Sequence, residues 1–213
     1  MMKTRYFYED HLRDHYFAYE LLKRKLRTSY VKAQIKTIST RELRYIYRSI
    51  HQKRPQSGQI QIVTTIPICR ESFLYLALFV SIYQSTSLVD TRSQLDVSAI
   101  IFAWDTFCQI FPDHIREKRP FGKIRPANFN EAWVIIQSLR KGLVELQFCT
   151  TCRHNYIVVY NCQFTSVCQV CELDKARKAS LNSISTLLKY PVRRQLTCPV
   201  GDNYLDRDRK SVV

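Results

Sequence analysis

Two cysteine pairs limit this chain more than any other feature. Cys149-Thr150-Thr151-Cys152 is followed, after a gap of fifteen residues, by Cys168-Gln169-Val170-Cys171. Two C-x-x-C pairs at this separation are the signature of a four-thiolate zinc site. Two residues between cysteines let one tight turn aim both sulfurs at a single ion. Fifteen more are enough for a short hairpin or a strand and loop that brings the second pair back. Four thiolates close the tetrahedron and leave no position for water or substrate, so the expected ion is one structural Zn2+ per chain. In small isolated modules such an ion contributes roughly 10–16 kcal/mol to folding. Three other uses of the cysteines compete with this one. Disulfides need an oxidising compartment, and the chain shows no secretory signal. A redox C-x-x-C is normally single and sits on a βα unit. Chance pairing among eight cysteines is the third. Cys162 lies between the pairs without a second cysteine near it and reads as a buried spare thiol.

Charge is the second constraint. The 213 residues carry 33 Lys and Arg against 18 Asp and Glu, a net charge of +15, which points to a polyanionic partner. Residues 1–60 hold fourteen of the cations and five of the anions, whereas residues 61–131 hold seven of each. Residues 173–213 are basic again, with nine against four. A neutral, apolar middle between basic ends suits a core that packs on itself or on a partner subunit, with both ends available to nucleic acid. The longest apolar run, Phe73 to Tyr83, is eleven residues, and a bilayer span needs about twenty. The N-terminus has no apolar stretch of the secretory kind, and Glu9, Asp10 and Asp14 are foreign to a transit peptide. The expected site of action is the cytoplasm, with no membrane contact.

Along the chain the patterning is mostly helical. Residues 1–14 read as a loosely docked polar and aromatic lead. From His15 the spacing of Tyr16, Tyr19, Leu22 and Leu26, then of Val31, Ile35 and Ile38, predicts one helix or two. Ser39-Thr40-Arg41-Glu42 forms a capping box for a further helix, with Leu43, Ile46, Tyr47 and Ile50 on one face and Arg41, Arg44 and Arg48 on another. Helix, short break and capped basic helix is the order of a helix-turn-helix, here residues 30–51. Those three arginines are therefore candidate DNA contacts. A solvated helical hairpin, or a helix gripping a protein partner, fits the same pattern, and no glycine marks the turn. Gln59 to Ile68 alternates in part and reads as extended. Residues 71–84 and 95–111 read as buried helices, with Trp104 as packing. Pro112 to Pro126 reads as a basic loop. A helix over 129–141 is capped by Asn128 with Glu131 and stopped by Gly142. Strands follow at 143–148 and 156–160. Lys175, Arg177 and Lys178 form a basic exit from the second thiol pair and are further candidate DNA contacts, and the tail from about Tyr190 reads as polar and unfolded.

The fold class is thus mostly α: a helical region over 1–142 with a partner-binding core at 61–131, a zinc-ribbon-like four-cysteine module at 143–180, and a basic, flexible tail at 181–213. An enzyme is a poor fit. The chain has four glycines and no phosphate loop, no H-E-x-x-H and no G-x-S-x-G. The only histidines at helical spacing are His11 and His15, which read as a solvated face. An RNA-binding zinc protein is an alternative, with Tyr156 and Tyr160 as stacking platforms or as packing.

Several of these features occur together in one known family. A helix with a central Trp133 leads into Gly142-Leu143-Val144-Glu145-Leu146, then the two thiol pairs, then Lys175, Arg177 and Lys178. Upstream, Leu43, Ile46-Tyr47 and Ile50, followed by Pro55 and Gly58, match a second stretch. Over roughly residues 15–180 the sequence resembles the FlhC-type subunit of the flagellar master transcriptional activator. Gln52 and Arg54 stand where that family tends to Gly and Pro. The resemblance implies a helical fold with a C-terminal zinc module, and a complex of two such chains with four FlhD-type subunits. It implies binding to promoter DNA upstream of flagellar (class 2) operons and recruitment of the housekeeping RNA polymerase. Relatives on conjugative elements activate transfer genes instead.

Overall fold

Residues 2–23 form the first helix, α1 (Met2–Lys23), so the chain turns helical well before His15. The computed structural model describes the backbone of residues 2–112 and 122–189, and the side chains of residues 9–112 and 122–179. Of the expected apolar stripe, Leu22 and Leu26 are buried but the two tyrosines are not. Ala18, Leu21 and Leu22 enter the core, while Tyr16 and Tyr19 are 61% and 45% exposed. Leu26 lies past the end of α1 and is buried from the following turn.

Of the two readings of residues 15–38, one helix or two, the structure has two: α1 ends at Lys23 and α2 (Thr28–Gln34) follows. Its first turn has no side-chain cap of its own. Asn130, far along the chain, supplies one: its Oδ1 accepts from the Arg27 amide at 3.0 Å and its Nδ2 donates to the Lys25 carbonyl at 3.2 Å. One buried amide thus satisfies both sides of the α1–α2 turn. α3 (Thr40–His51) starts at Ser39, whose hydroxyl accepts from the Glu42 amide at 3.2 Å, a bond of the kind that contributes about 1 kcal/mol. The return half of the capping box is not made; Glu42 Oε1 lies 3.8 Å from His15 Nε2 of α1 instead. At the other end of α3, His51 Nε2 lies 2.8 Å from the Leu22 carbonyl. These two contacts pair 15 with 42 and 22 with 51, so α1 and α3 run in the same direction.

Residues 59–68 are not extended into a strand. A 3-10 turn at Val63–Thr65 inserts Val63 and Ile66 into the core and leaves Ile60 and Ile62 exposed. Two buried helices follow as expected, α4 (Ser72–Thr86) and α5 (Val97–Ile110). They are antiparallel: the Tyr83 hydroxyl meets the Asp96 amide at one end, and the Tyr75 and Phe111 rings meet at the other. Asp96 caps α5 by accepting from the Ala99 amide at 3.0 Å. Trp104 packs between the rings of Phe107 and Phe129. Of the expected basic loop, residues 113–121 lie outside the described residues, as does the tail from Tyr190.

α6 (Phe129–Arg140) is buried nearly all round, with Trp133 fully enclosed. Asn128 caps it, accepting from the Glu131 amide at 3.0 Å. The Glu131 carboxylate is itself buried. It accepts from the Ala127 amide at 2.7 Å and from Arg125 Nη1 at 2.9 Å. Removing one partner of a buried ion pair costs about 3–5 kcal/mol, because the other charge keeps its burial and loses its compensation. Glu131→Ala should therefore lower the unfolding free energy by about that much, read from the urea midpoint at unchanged slope. A decrease below about 1 kcal/mol, the level of an exposed pair, would contradict a buried role for this carboxylate.

Gly142, at φ +69°, ends α6 in the left-handed conformation that favours glycine, and the Leu143 amide reaches back to the Ser138 carbonyl at 2.9 Å. An antiparallel ribbon follows, β1 (Val144–Phe148) and β2 (Asn155–Val159), with Val144 opposite Val159 and Phe148 opposite Asn155. Its inner face carries Val144, Ile157 and Val159 into the same core as the helices, against α4. α7 (Gln169–Lys189) ends the described chain. Among the described residues there are thus seven helices and one two-stranded ribbon, a mostly helical fold. No described helix is long and apolar enough to cross a membrane. The chain divides into two compact units, Met1–Lys175 and Ala176–Val213. In the second, residues 176–189 are helical.

Candidate metal centre and basic helices

The first thiol pair occupies the turn of the ribbon. The register Phe148 to Asn155 leaves six residues, Cys149 to His154, to close the hairpin. The Arg153 amide donates to the Cys149 carbonyl at 2.8 Å and the Cys149 amide to the His154 carbonyl at 3.0 Å. The turn closes through Arg153 in the left-handed region, φ 59°. This fold aims the amides of Cys152 and Thr151 at the Cys149 sulfur and holds its thiol down to about 6, since hydrogen bonds to the ionised form favour it.

The second pair lies on the entry to α7. Cys168 precedes the helix and its carbonyl accepts from the Glu172 amide, while Cys171 sits in the first turn. Two contacts fix that turn. Gln169 is buried and donates through Nε2 to the Ile157 carbonyl of β2 at 3.2 Å, and Glu172 pairs with Arg70. Neither role is visible in the sequence. A glutamine between two cysteines and an arginine a hundred residues upstream leave no periodic or spacing signal.

The result is a cluster of four sulfurs, Cys149, Cys152, Cys168 and Cys171, all within 4.8 Å of one another. Cys149 and Cys171 are 3.7 Å apart, and Cys152 and Cys168 3.5 Å. Disulfide sulfurs stand at about 2.05 Å. Zn–S bonds of about 2.3 Å in a tetrahedron set its edges near 3.8 Å, and the observed separations fit that figure. Crowding also changes the thiols: Cys171 is pushed up to about 12, chiefly by the neighbouring Cys152 thiol, and burial raises Cys168. Four adjacent sulfurs cannot all ionise against one another, and a bound divalent cation removes that obstacle. These four cysteines can hold a metal ion.

The remaining described cysteines stand apart. Cys162 donates to the Phe164 carbonyl at 3.3 Å and packs against the core. Cys108 is pushed up to about 12 by burial in α5, and Cys69 lies beside Ser72 and Glu71.

The candidate nucleic-acid contacts fall on two helices. Arg41, Arg44 and Arg48 share one exposed face of α3, away from buried Leu43 and Tyr47. Lys175, Arg177 and Lys178 are exposed on α7, Lys175 in the first unit and the other two in the second. On the outer face of the ribbon, Tyr156 and Tyr160 are tied down by their hydroxyls, which donate to Gln147 at 2.7 Å and to Glu145 at 2.9 Å.

Fold and site together define a mostly helical protein with one four-thiol centre and exposed basic helix faces. The family model for the flagellar transcriptional activator FlhC matches residues 4–183. The chain belongs to the FlhC family, which is a family of transcription regulators and not of enzymes. No curated protein matches the chain.

Proposed function

We propose that this chain is the DNA-binding subunit of an activator of flagellar (class 2) operons, acting in the cytoplasm. It works in a hetero-oligomer of two such chains with four FlhD-type subunits and recruits the housekeeping RNA polymerase. The observation that carries this reading is the extent of the family match, which takes in the basic helix α3 and all four thiols within residues 4–183. The metal is one structural Zn2+ per chain, held by Cys149, Cys152, Cys168 and Cys171. A closed set of four thiolates leaves no open position for catalysis. Its role is to lock the hairpin turn to the start of α7.

Support for assembly comes from the middle of the chain. Residues 61–131 are charge-neutral, and Ile62, Leu78, Leu88 and Phe102 expose apolar surface there, while charge depletion marks interface cores. Expressed alone, the chain should aggregate or form unstable oligomers. Co-expressed with an FlhD-type subunit, it should elute as one defined hetero-oligomer with two copies of this chain. A stable, monodisperse monomer in sizing experiments would contradict the assembly.

A further inference from the structure

The parallel course of α1 and α3 brings two basic stretches to one end of the helical unit. Lys23 and Lys25 lie at the C-terminal end of α1; Lys53 and Arg54 follow the C-terminal end of α3, and all four are exposed. The His51 contact to the Leu22 carbonyl holds these two ends side by side. Arg27 Nη1 donates to the Gly58 carbonyl at 2.9 Å and draws the loop after α3 back onto the α1–α2 turn. A cleft of about 340 Å3 opens there, lined by Lys23, Lys25 and Gln56 with the Trp104 ring.

Cations near helix C-termini often do no more than complement the dipole and cap free carbonyls. Here the carbonyls have other partners. At α1 the Lys25 and Leu26 amides reach the Leu22 and Leu21 carbonyls. At α3 the Gln52 amide reaches Arg48 and its side chain reaches Ser49. Among the described residues, carboxylates reach the group only at Lys23. Glu20 and Asp105 are both bound by Arg24, at 2.5 and 2.9 Å, and of the four cations only Lys23 comes within 3.8 Å of Glu20. The α3 arginine Arg48 adds a further cation at the same end.

We infer that Lys23, Lys25, Lys53 and Arg54 form a phosphate-binding patch that grips the backbone of duplex DNA beside α3. The inference rests on the DNA-binding reading above and adds to it the surface that sets position without reading sequence. Long, flexible, exposed cations suit phosphate contact, whereas base readout needs rigid placement in a groove.

The test uses the full chain co-expressed with an FlhD-type subunit, titrated on promoter duplex and on random duplex at several salt concentrations. The quadruple variant Lys23→Gln/Lys25→Gln/Lys53→Gln/Arg54→Gln should bind both duplexes more weakly by the same factor. Its slope of log affinity against log salt should be shallower by about 0.9 for each phosphate no longer neutralised, so by up to about 3.6. The charge-conserving Lys53→Arg/Arg54→Lys should keep the wild-type slope. A wild-type complex that binds, with a quadruple variant of unchanged slope, overturns this patch alone. So does a variant that loses its partner subunit while its duplex slope is unchanged, which would assign the patch to an acidic protein surface. A wild-type complex that leaves duplex unbound overturns the DNA-binding reading itself.

Discussion

Cys152→Ser should leave the chain without zinc. The same outcome is expected for Cys149→Ser, Cys168→Ser and Cys171→Ser, while Cys162→Ser should retain one zinc per chain. The reason is geometric: four sulfurs within 4.8 Å of one another match a tetrahedron of Zn–S bonds, and Cys162 is turned to the Phe164 carbonyl. The consequence for stability is large but local. Such a site contributes roughly 10–16 kcal/mol in isolated modules, as much as the whole stability of a typical domain, about 5–15 kcal/mol. The ribbon, however, also buries Val144, Ile157 and Val159 in the helical core. The effect of removing the metal is therefore limited to the cost of opening the segment that the metal alone orders. Amides of the hairpin turn, about Cys149 to His154, and of the entry to α7, about Cys168 to Lys175, should lose hydrogen-exchange protection, while the helical circular dichroism signal largely remains. Full zinc content in Cys168→Ser together with zinc-free Cys162→Ser would contradict the ligand set.

The second large effect concerns DNA. Replacing Lys175, Arg177 and Lys178 together, each by Ala, should make the salt dependence shallower by about 0.9 for each phosphate no longer neutralised, up to about 2.7. Affinity should fall equally on specific and random duplex, because these are long, flexible, exposed side chains. Arg44→Ala/Arg48→Ala should behave differently. These side chains stand on one exposed face of a capped, packed helix. Removing a base-reading side chain from such a face relaxes specificity at one position by about 1–3 kcal/mol. If both variants assemble normally and neither changes affinity or salt slope, α3 and α7 do not carry the DNA contacts.

What is legible in the sequence is what is enforced locally. Metal coordination imposes the C-x-x-C spacing, and capping imposes Ser39 before Glu42 and Asn128 before Glu131, so both can be read within a few residues. The largely apolar sequences of α4 and α5 predict burial, and Phe79, Val80, Ile100 and Phe107 are fully buried. What is not legible depends on distant partners. The alternation of Ile60, Ile62 and Ile66 suggests a strand, but Val63 and Ile66 are the residues that find space in the core, and Gln61 turns to Glu131 of α6 at 3.3 Å. Tyr16 and Tyr19 fit the helical stripe of Leu22, but the packing of α2, α3 and α5 on α1 buries Ala18 and Leu21 beside Leu22 instead. The same holds at the site: the cysteines announce themselves, whereas Gln169 and Arg70, which position them, act through contacts with β2 and with α7.

At the heart of the proposed function is sequence-specific duplex binding by a zinc-loaded hetero-oligomer. It is measured most simply by a competition titration of the complex with its FlhD-type subunit on labelled flagellar promoter duplex, against random duplex and single-stranded RNA. Promoter duplex should win by at least about a thousandfold over random duplex, with an affinity that falls steeply as salt rises. Equal affinity for promoter and random duplex, or stronger competition by single-stranded RNA, would contradict a sequence-reading DNA activator.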